Sequence, residues 1–356
     1  MADSLSAIRR ITGDGGPPLG GLAIFCISST AMKKTVKVLL IILGVLVIGL
    51  AVVIGYVKVA LPNTGAPPDL KVQITPERVQ RGEYLANHVA VCMDCHSQRD
   101  WSVYGAPLKK ETFGSGGEKF SHEVGFPGTV YSRNITPAGL KDWTDGEIFR
   151  AITSGEDKHG RPLFPLMPYP HYGQTDPEDI LSIIAYIRTL PAIQHQVPGH
   201  ELDFPLNILV NTMPSKAAMA KKPDSNNITA YGKYLVLMSG CVECHSKIEK
   251  GKVVAGTEFG GGRTFDFPNG TVVTAPNITF DKATGIGNWD RNLFIRKFSQ
   301  YTDSGYTFRQ LASSDFNTPM PWLMYSGMRK SDLAAIYAYL GTVTPIHNEE
   351  KVFKKK

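Results

Sequence analysis

The chain has 356 residues, room for two domains and an appendage, and its 42% hydrophobic and 20% charged content is that of a globular protein. Its net charge of +6 sits mostly at the ends, with +3 on residues 1–37 and +2 on the tail from Glu349, so nucleic-acid binding has no support. Four of the five cysteines fall in two short motifs; Cys26 stands alone, and no structural disulfide is implied.

Residues 1–31 are rich in Gly, Pro and Ser and carry no periodicity. Arg9-Arg10 matches a fragment of a twin-arginine export signal, but no apolar core follows it. Lys33, Lys34 and Lys37 then precede residues 38–57, twenty uncharged and mostly apolar positions. A helix of that length spans ~30 Å, the hydrocarbon thickness of a bilayer. The run is longer than a signal-peptide core, and Lys58 occupies the −3 position of the nearby Ala60 site, so the segment reads as a retained anchor. Its basic flank places the N-terminus in the cytoplasm. Met32, at the head of this segment, is a candidate translation start.

Beyond a Pro-rich linker the chain repeats itself. Arg81-Gly-Glu-Tyr-Leu85 leads to Cys92-Met-Asp-Cys-His96, and Tyr231-Gly-Lys-Tyr-Leu235 leads to Cys241-Val-Glu-Cys-His245. Asn134-Ile-Thr136 and Trp143 recur as Asn277-Ile-Thr279 and Trp289; Met167-Pro-Tyr169 recurs as Met320-Pro-Trp322. The offsets are 149 residues for the first cysteines, 143 for the Asn-Ile-Thr triplets and 153 for the Met-Pro pairs, which a duplicated domain with small insertions explains. Periodicity predicts closing helices over residues 179–190 and 332–340 and a capped helix over 148–153, with Thr144 and Thr175 each opening a capping box. Long Gly/Pro-rich loops over 103–133 and 250–276 imply that the chain wraps a ligand.

Cys-x-x-Cys-His is the pattern for covalent haem attachment, with thioethers from Cys92, Cys95, Cys241 and Cys244 and proximal imidazoles from His96 and His245. A redox dithiol does not need the following His, and a zinc site needs a second ligand pair. For the sixth position the first half offers Met167, His159 and His171, the second Met320, Met324 and Met328. Met167 and Met320 are favoured, because the following Pro holds each in extended backbone and each precedes a closing helix. His/Met ligation fills both axial positions and suits electron transfer. Asn134, Thr136, Asn277 and Thr279 are candidates to bond propionates or nearby backbone, and Arg133 to pair with a propionate. No other catalytic constellation is present in the sequence.

These motifs together resemble the class I cytochrome c domain over roughly residues 76–345, and in detail the multihaem cytochrome subunits of periplasmic alcohol, aldehyde and sugar dehydrogenases. The resemblance implies a mainly α fold, with an aromatic residue of each closing helix meeting Gly82 or Gly232: Tyr186 in the first half, Tyr337 or Tyr339 in the second. Those subunits typically carry three haem domains and this chain two, so the donor is not transferable. The expected organisation is a cytoplasmic N-terminus (1–35), an anchor (36–60), a linker (61–75), two cytochrome c domains (76–198 and 224–346), a connector (199–223) and a basic tail (347–356). The expected function is a dihaem electron carrier, tethered single-pass to the bacterial inner membrane with its haems in the periplasm. It would link a dehydrogenase or quinol-oxidising donor to an oxidase or soluble cytochrome. A dihaem peroxidase is the alternative.

Overall fold

The computed structural model describes residues 29–312 and 314–355. The Arg9-Arg10 pair and Cys26 lie outside the described residues, as does the side chain of Met32. Two units are distinguished, one ending at Val53 and the other comprising Ile54–Lys356. Helix α1 (Ser29–Ala60) contains Lys33–Ala60, among the described residues the one helix long and apolar enough to cross a bilayer. Its apolar side chains are exposed rather than packed into a core.

Residues 61–75 are not a free spacer. The Thr64 amide and hydroxyl donate to Glu156 Oε2 at 3.0 and 2.7 Å, the Val72 amide donates to Asp145 at 2.8 Å, and Val72 is buried. Helix α2 (Pro76–Tyr84) follows, opened by Thr75, whose hydroxyl accepts from the Arg78 amide. It runs into a π-helical turn at Leu85–Val89 and then into the single turn α3 (Cys92–Cys95). The loop after it carries two antiparallel strands, β1 (Lys119–Phe120) and β2 (Gly128–Tyr131). Helix α4 (Asp145–Ser154) has the expected Thr144/Glu147 capping box and stops at Gly155. Then come α5 (Tyr169–Tyr172) and the closing helix α6 (Pro177–Thr189). The cap of α6 is Asp176 rather than Thr175; the Thr175 hydroxyl instead donates back to the Tyr172 carbonyl at 2.7 Å.

The connector adds β3 (Glu201–Leu202) to the edge of β2 and a short helix α7 (Leu206–Leu209). The second half repeats the sequence of elements. It comprises α8 (Ile228–Met238), α9 (Cys241–Cys244), the hairpin β4 (Ile248–Glu249) and β5 (Lys252–Val253), and a second antiparallel pair, β6 (Thr264–Asp266) and β7 (Thr271–Thr274). Helices α10 (Arg291–Ser299), α11 (Trp322–Tyr325) and α12 (Lys330–Leu340) complete it. The basic tail then returns as β8 (Phe353–Lys355) on the edge of β7, just as β3 returns to β2. The fold is thus mainly helical, with small three-stranded sheets in the loops that periodicity alone left unassigned.

In each half the first helix crosses the last at a glycine. A Cβ on Gly82 would collide with the Ser182 carbonyl and press on the Tyr186 Cβ; one on Gly232 would collide with the Ala335 carbonyl and press on Tyr339. Tyr339 is therefore the aromatic at the second crossing. Tyr337 faces elsewhere, its hydroxyl donating to the Trp289 carbonyl at 2.7 Å. Ten positions lead from Gly82 to Cys92 but nine from Gly232 to Cys241. The extra residue is taken up by the π-helical turn, the usual way a helix absorbs a one-residue insertion.

The halves interlock reciprocally. The Tyr84 hydroxyl donates to Asp332 at the start of α12, and the Tyr234 hydroxyl donates to Asp179 in α6. His88 Nδ1 meets the Met324 carbonyl at 2.8 Å, and His171 Nε2 meets Glu243 at 2.8 Å. Each short helix behind a Met-Pro pair therefore packs against the cysteine-bearing segment of the other half. Ile180 and Ile184 of α6 and Leu235 and Leu333 of the second half lie in one continuous hydrophobic core.

Candidate functional site

Each Cys-x-x-Cys-His motif forms one helical turn entered through left-handed backbone, at Val91 (φ 47°) in the first half and Gly240 (φ 64°) in the second. A β-branched residue is strained there and glycine is not. Cys92, Cys95, Cys241 and Cys244 are free thiols. Burial pushes Cys92, Cys95 and Cys241 up to about 12 and raises Cys244. A redox-active Cys-x-x-Cys needs the opposite, a depressed thiol. Among the described residues no cluster of three His, Cys, Asp or Glu side chains could hold a metal ion.

The two imidazoles are held identically. His96 Nδ1 lies 2.7 Å from the Arg133 carbonyl, and His245 Nδ1 lies 2.8 Å from the Pro276 carbonyl. A carbonyl only accepts, so the proton is on Nδ1 and the Nε2 lone pair is free to bind a metal. Burial lowers both histidines' pKa and keeps the rings neutral, the form a metal requires.

The residue after each accepting carbonyl is the Asn of an Asn-Ile-Thr triplet. Asn134 Oδ1 accepts from the Thr136 amide and hydroxyl at 3.0 and 2.7 Å, while its Nδ2 donates to the Ile193 carbonyl at 2.8 Å. Asn277 does the same with Thr279, and its Nδ2 donates to the Ile346 carbonyl at 2.6 Å. The triplets thus act on backbone: they staple the segment beyond each closing helix to the loop that orients the histidine. Arg133 donates to the Pro198 carbonyl at 3.0 Å and meets His200 Nε2 at 2.9 Å.

Met167 and Met320 are half-buried and packed on the core. Both sit in the same inverse γ-turn. The Tyr169 amide donates to the Met167 carbonyl at 2.7 Å around Pro168 (φ −79°, ψ 50°), and the Trp322 amide to the Met320 carbonyl at 2.8 Å around Pro321 (φ −79°, ψ 60°). Tyrosines tie these loops to the cysteine turns of their own halves. The Tyr172 hydroxyl donates to the Ala90 carbonyl at 3.0 Å and the Tyr325 hydroxyl to the Ser239 carbonyl at 2.9 Å, the residue two before Cys92 and Cys241 respectively. Of the rival ligands, His159 is exposed and His171 is paired with Glu243. Trp143 and Trp289 pack against the core.

Several residues of this framework went unread in the sequence: Tyr172 and Tyr325, and Ser97 and Ser246, whose hydroxyls accept the Gly114 and Phe259 amides. The signal was available. Tyr172 and Tyr325 recur at the 153-residue offset of the Met-Pro pairs, and Ser97 and Ser246 at the 149-residue offset of the cysteines.

No family model matches the chain. It is 30% identical over 288 residues to the fructose dehydrogenase cytochrome subunit of Gluconobacter japonicus, covering 74% of this chain and 52% of that one. It is 27% identical to the gluconate 2-dehydrogenase cytochrome c subunit of Pantoea cypripedii, covering 77% and 62%. A third relative, a dihaem cytochrome c-type protein of Cereibacter sphaeroides, is 27% identical and is matched over 90% of its length and 78% of this chain. The chain resembles a dihaem cytochrome c and the cytochrome subunits of dehydrogenases. It spans about half the length of the first of those subunits. As a cytochrome-like framework, each half presents two unbridged thiols, an imidazole with a free Nε2 and a thioether on a rigid turn. Those donors fit the chemistry of a haem c, whose attachment needs thiols and whose iron takes imidazole and thioether ligands.

Proposed function

We propose that this protein is a membrane-anchored electron carrier with two covalently bound haems. Cys92 and Cys95, with His96 and Met167, would hold one; Cys241 and Cys244, with His245 and Met320, would hold the other. The observation that carries this reading is the repeated Nδ1-to-carbonyl bond, which leaves each His Nε2 unprotonated at the end of its Cys-x-x-Cys-His turn. When bound, haem iron supplies one-electron redox chemistry. The chain's own residues orient the imidazoles, present the thioethers and exclude water. The matched Met-Pro turns favour a carrier over a peroxidase, which needs one axial position that opens to peroxide.

Residues 76–198 and 224–346 form the two haem-binding domains in this reading, and Lys33–Ala60 tethers them to the outer face of the bacterial inner membrane. Relatives named as subunits of fructose, alcohol and gluconate dehydrogenases favour a dehydrogenase as donor, with an oxidase or a soluble cytochrome as acceptor. The test is expression with cytochrome c maturation machinery, followed by a pyridine haemochrome assay and intact mass. Two haems per chain are expected. Met167→Ala and Met320→Ala should each remove the thioether charge-transfer band of one ferric haem and lower its potential. Fewer than two haems, or unchanged spectra in both variants, overturns the assignment.

A further inference from the structure

The loop after each cysteine turn is held by the same pair of backbone bonds. The Gly116 amide donates to the His96 carbonyl at 2.8 Å and the Gly117 amide to the Ser132 carbonyl at 2.9 Å. In the second half the Gly261 amide donates to the His245 carbonyl at 2.8 Å and the Gly262 amide to the Ala275 carbonyl at 2.9 Å. The residue that follows therefore occupies one position of the repeat, and its charge is reversed between the halves: Glu118 in the first, Arg263 in the second.

Both side chains turn back onto the cysteine turn of their own half. Glu118 is buried and accepts from Arg99 Nε at 3.2 Å and from the Trp101 indole at 2.9 Å. Arg99 in turn reaches the carboxylate of Asp94, the residue before Cys95, at 3.1 Å. Arg263, half-buried, donates to the carbonyl of Glu243, the residue before Cys244, at 2.7 Å. Asp94 and Glu243 share the 149-residue offset of the cysteines, whereas Arg99 corresponds to Ile248. Beside the first turn one guanidinium thus serves two carboxylates. Beside the second, one guanidinium stands with one carboxylate, which His171 also meets at 2.8 Å. Two other repeat positions near the histidines differ in charge: Arg133 corresponds to Pro276, and Lys247 to Gln98. Both cations are exposed, and they lie in opposite halves.

Reduction adds an electron, so a negative charge beside a haem favours the ferric state and a positive charge the ferrous one. Buried charges act through a lower dielectric than exposed ones and are less screened by salt. We propose that Glu118 and Arg263 set the two haem potentials apart, the first lower and the second higher, so that electrons enter at the first haem and leave from the second. The proposal rests on the dihaem reading and gives it a direction. One electron leaves the first iron, which is oxidised, and enters the second, which is reduced; no bond is made or broken.

The experiment is a spectroelectrochemical titration of the full-length, haem-loaded protein in detergent, with no redox partner added. Two one-electron steps are expected, the lower displaced by Met167→Ala and the upper by Met320→Ala. Glu118→Gln should raise the lower step alone. Arg263→Gln should lower the upper step alone, and Arg263→Lys, which keeps the charge, should leave it in place. Haem content and the thioether charge-transfer bands should match the wild type in all three variants, which separates a lost charge from a lost fold. The gap between the steps should persist in about 1 M salt, where exposed charges are screened. A lower step that belongs to the second haem overturns the proposal. So does a pair of neutral variants that moves neither step or moves both the same way. A gap that closes in salt assigns it to exposed charge, and Arg263→Lys shifting as far as Arg263→Gln assigns the effect to packing; either result overturns it as well. Failure of the dihaem reading would show separately, as fewer than two haems per chain.

Discussion

The Tyr84 hydroxyl donates to Asp332 at 2.6 Å, so the first helix of one half is bonded to the closing helix of the other. Tyr234 repeats the contact toward Asp179 at 2.7 Å. Burial and the neighbouring carboxylate raise both phenols far above their ordinary range, keeping them protonated and donating. A hydrogen bond to a charged acceptor contributes about 2 kcal/mol. Tyr84→Phe and Tyr234→Phe should each destabilise the haem-loaded protein by that amount in denaturant unfolding, and a change below ~0.5 kcal/mol would mean the halves are joined by other contacts.

Asp179 makes the acid response predictable. Burial alone would push its carboxyl up, but the bidentate Arg81 (3.0 and 2.8 Å), Tyr234 and Lys222 hold it below the usual carboxylate range. A depressed folded-state pKa contributes stability above the unfolded value of about 3.9, and that stability is lost as pH falls through the folded pKa. Arg81→Gln should cost about 3 kcal/mol at neutral pH by leaving a buried carboxylate short of its main partner. The gap from wild type should shrink below about pH 4, which thermal melts across pH would read.

Gly82 and Gly232 are sites of contact rather than of flexibility, since a Cβ at either collides with a carbonyl of the opposing helix. Gly82→Ala or Gly232→Ala must push α2 from α6 or α8 from α12, at a cost of about 3 kcal/mol, the upper range for overpacking. Unfolding midpoints measure this. A variant as stable as wild type would mean that the crossing is looser than described.

Asn277 bonds Thr279 and the Ile346 carbonyl, and the carbonyl just before it orients His245. Asn277→Ala should free the loop, cost about 2 kcal/mol for the buried groups left unpaired, and broaden the ligand-field signature of one ferric haem in electron paramagnetic resonance. Asn134→Ala should do the same for the other haem. An unchanged spectrum would limit the triplets to holding the closing segment.

Local chemistry written in consecutive residues was legible from the chain. The two Cys-x-x-Cys-His motifs, the Met-Pro turns, the capping box at Thr144 and the apolar run after Lys37 each declare themselves within a few positions, because covalent spacing and backbone restriction act locally. The repeat offsets extended that reading to a duplicated framework. What only the tertiary structure decided were the partners across distance: Tyr339 rather than Tyr337 at Gly232, Asn-Ile-Thr as a backbone staple, Arg133 on the Pro198 carbonyl, and β3 and β8 returning to corresponding strands. Such pairings join residues tens to hundreds of positions apart, and hydrogen-bonding capacity does not name its partner until packing brings one within 3 Å.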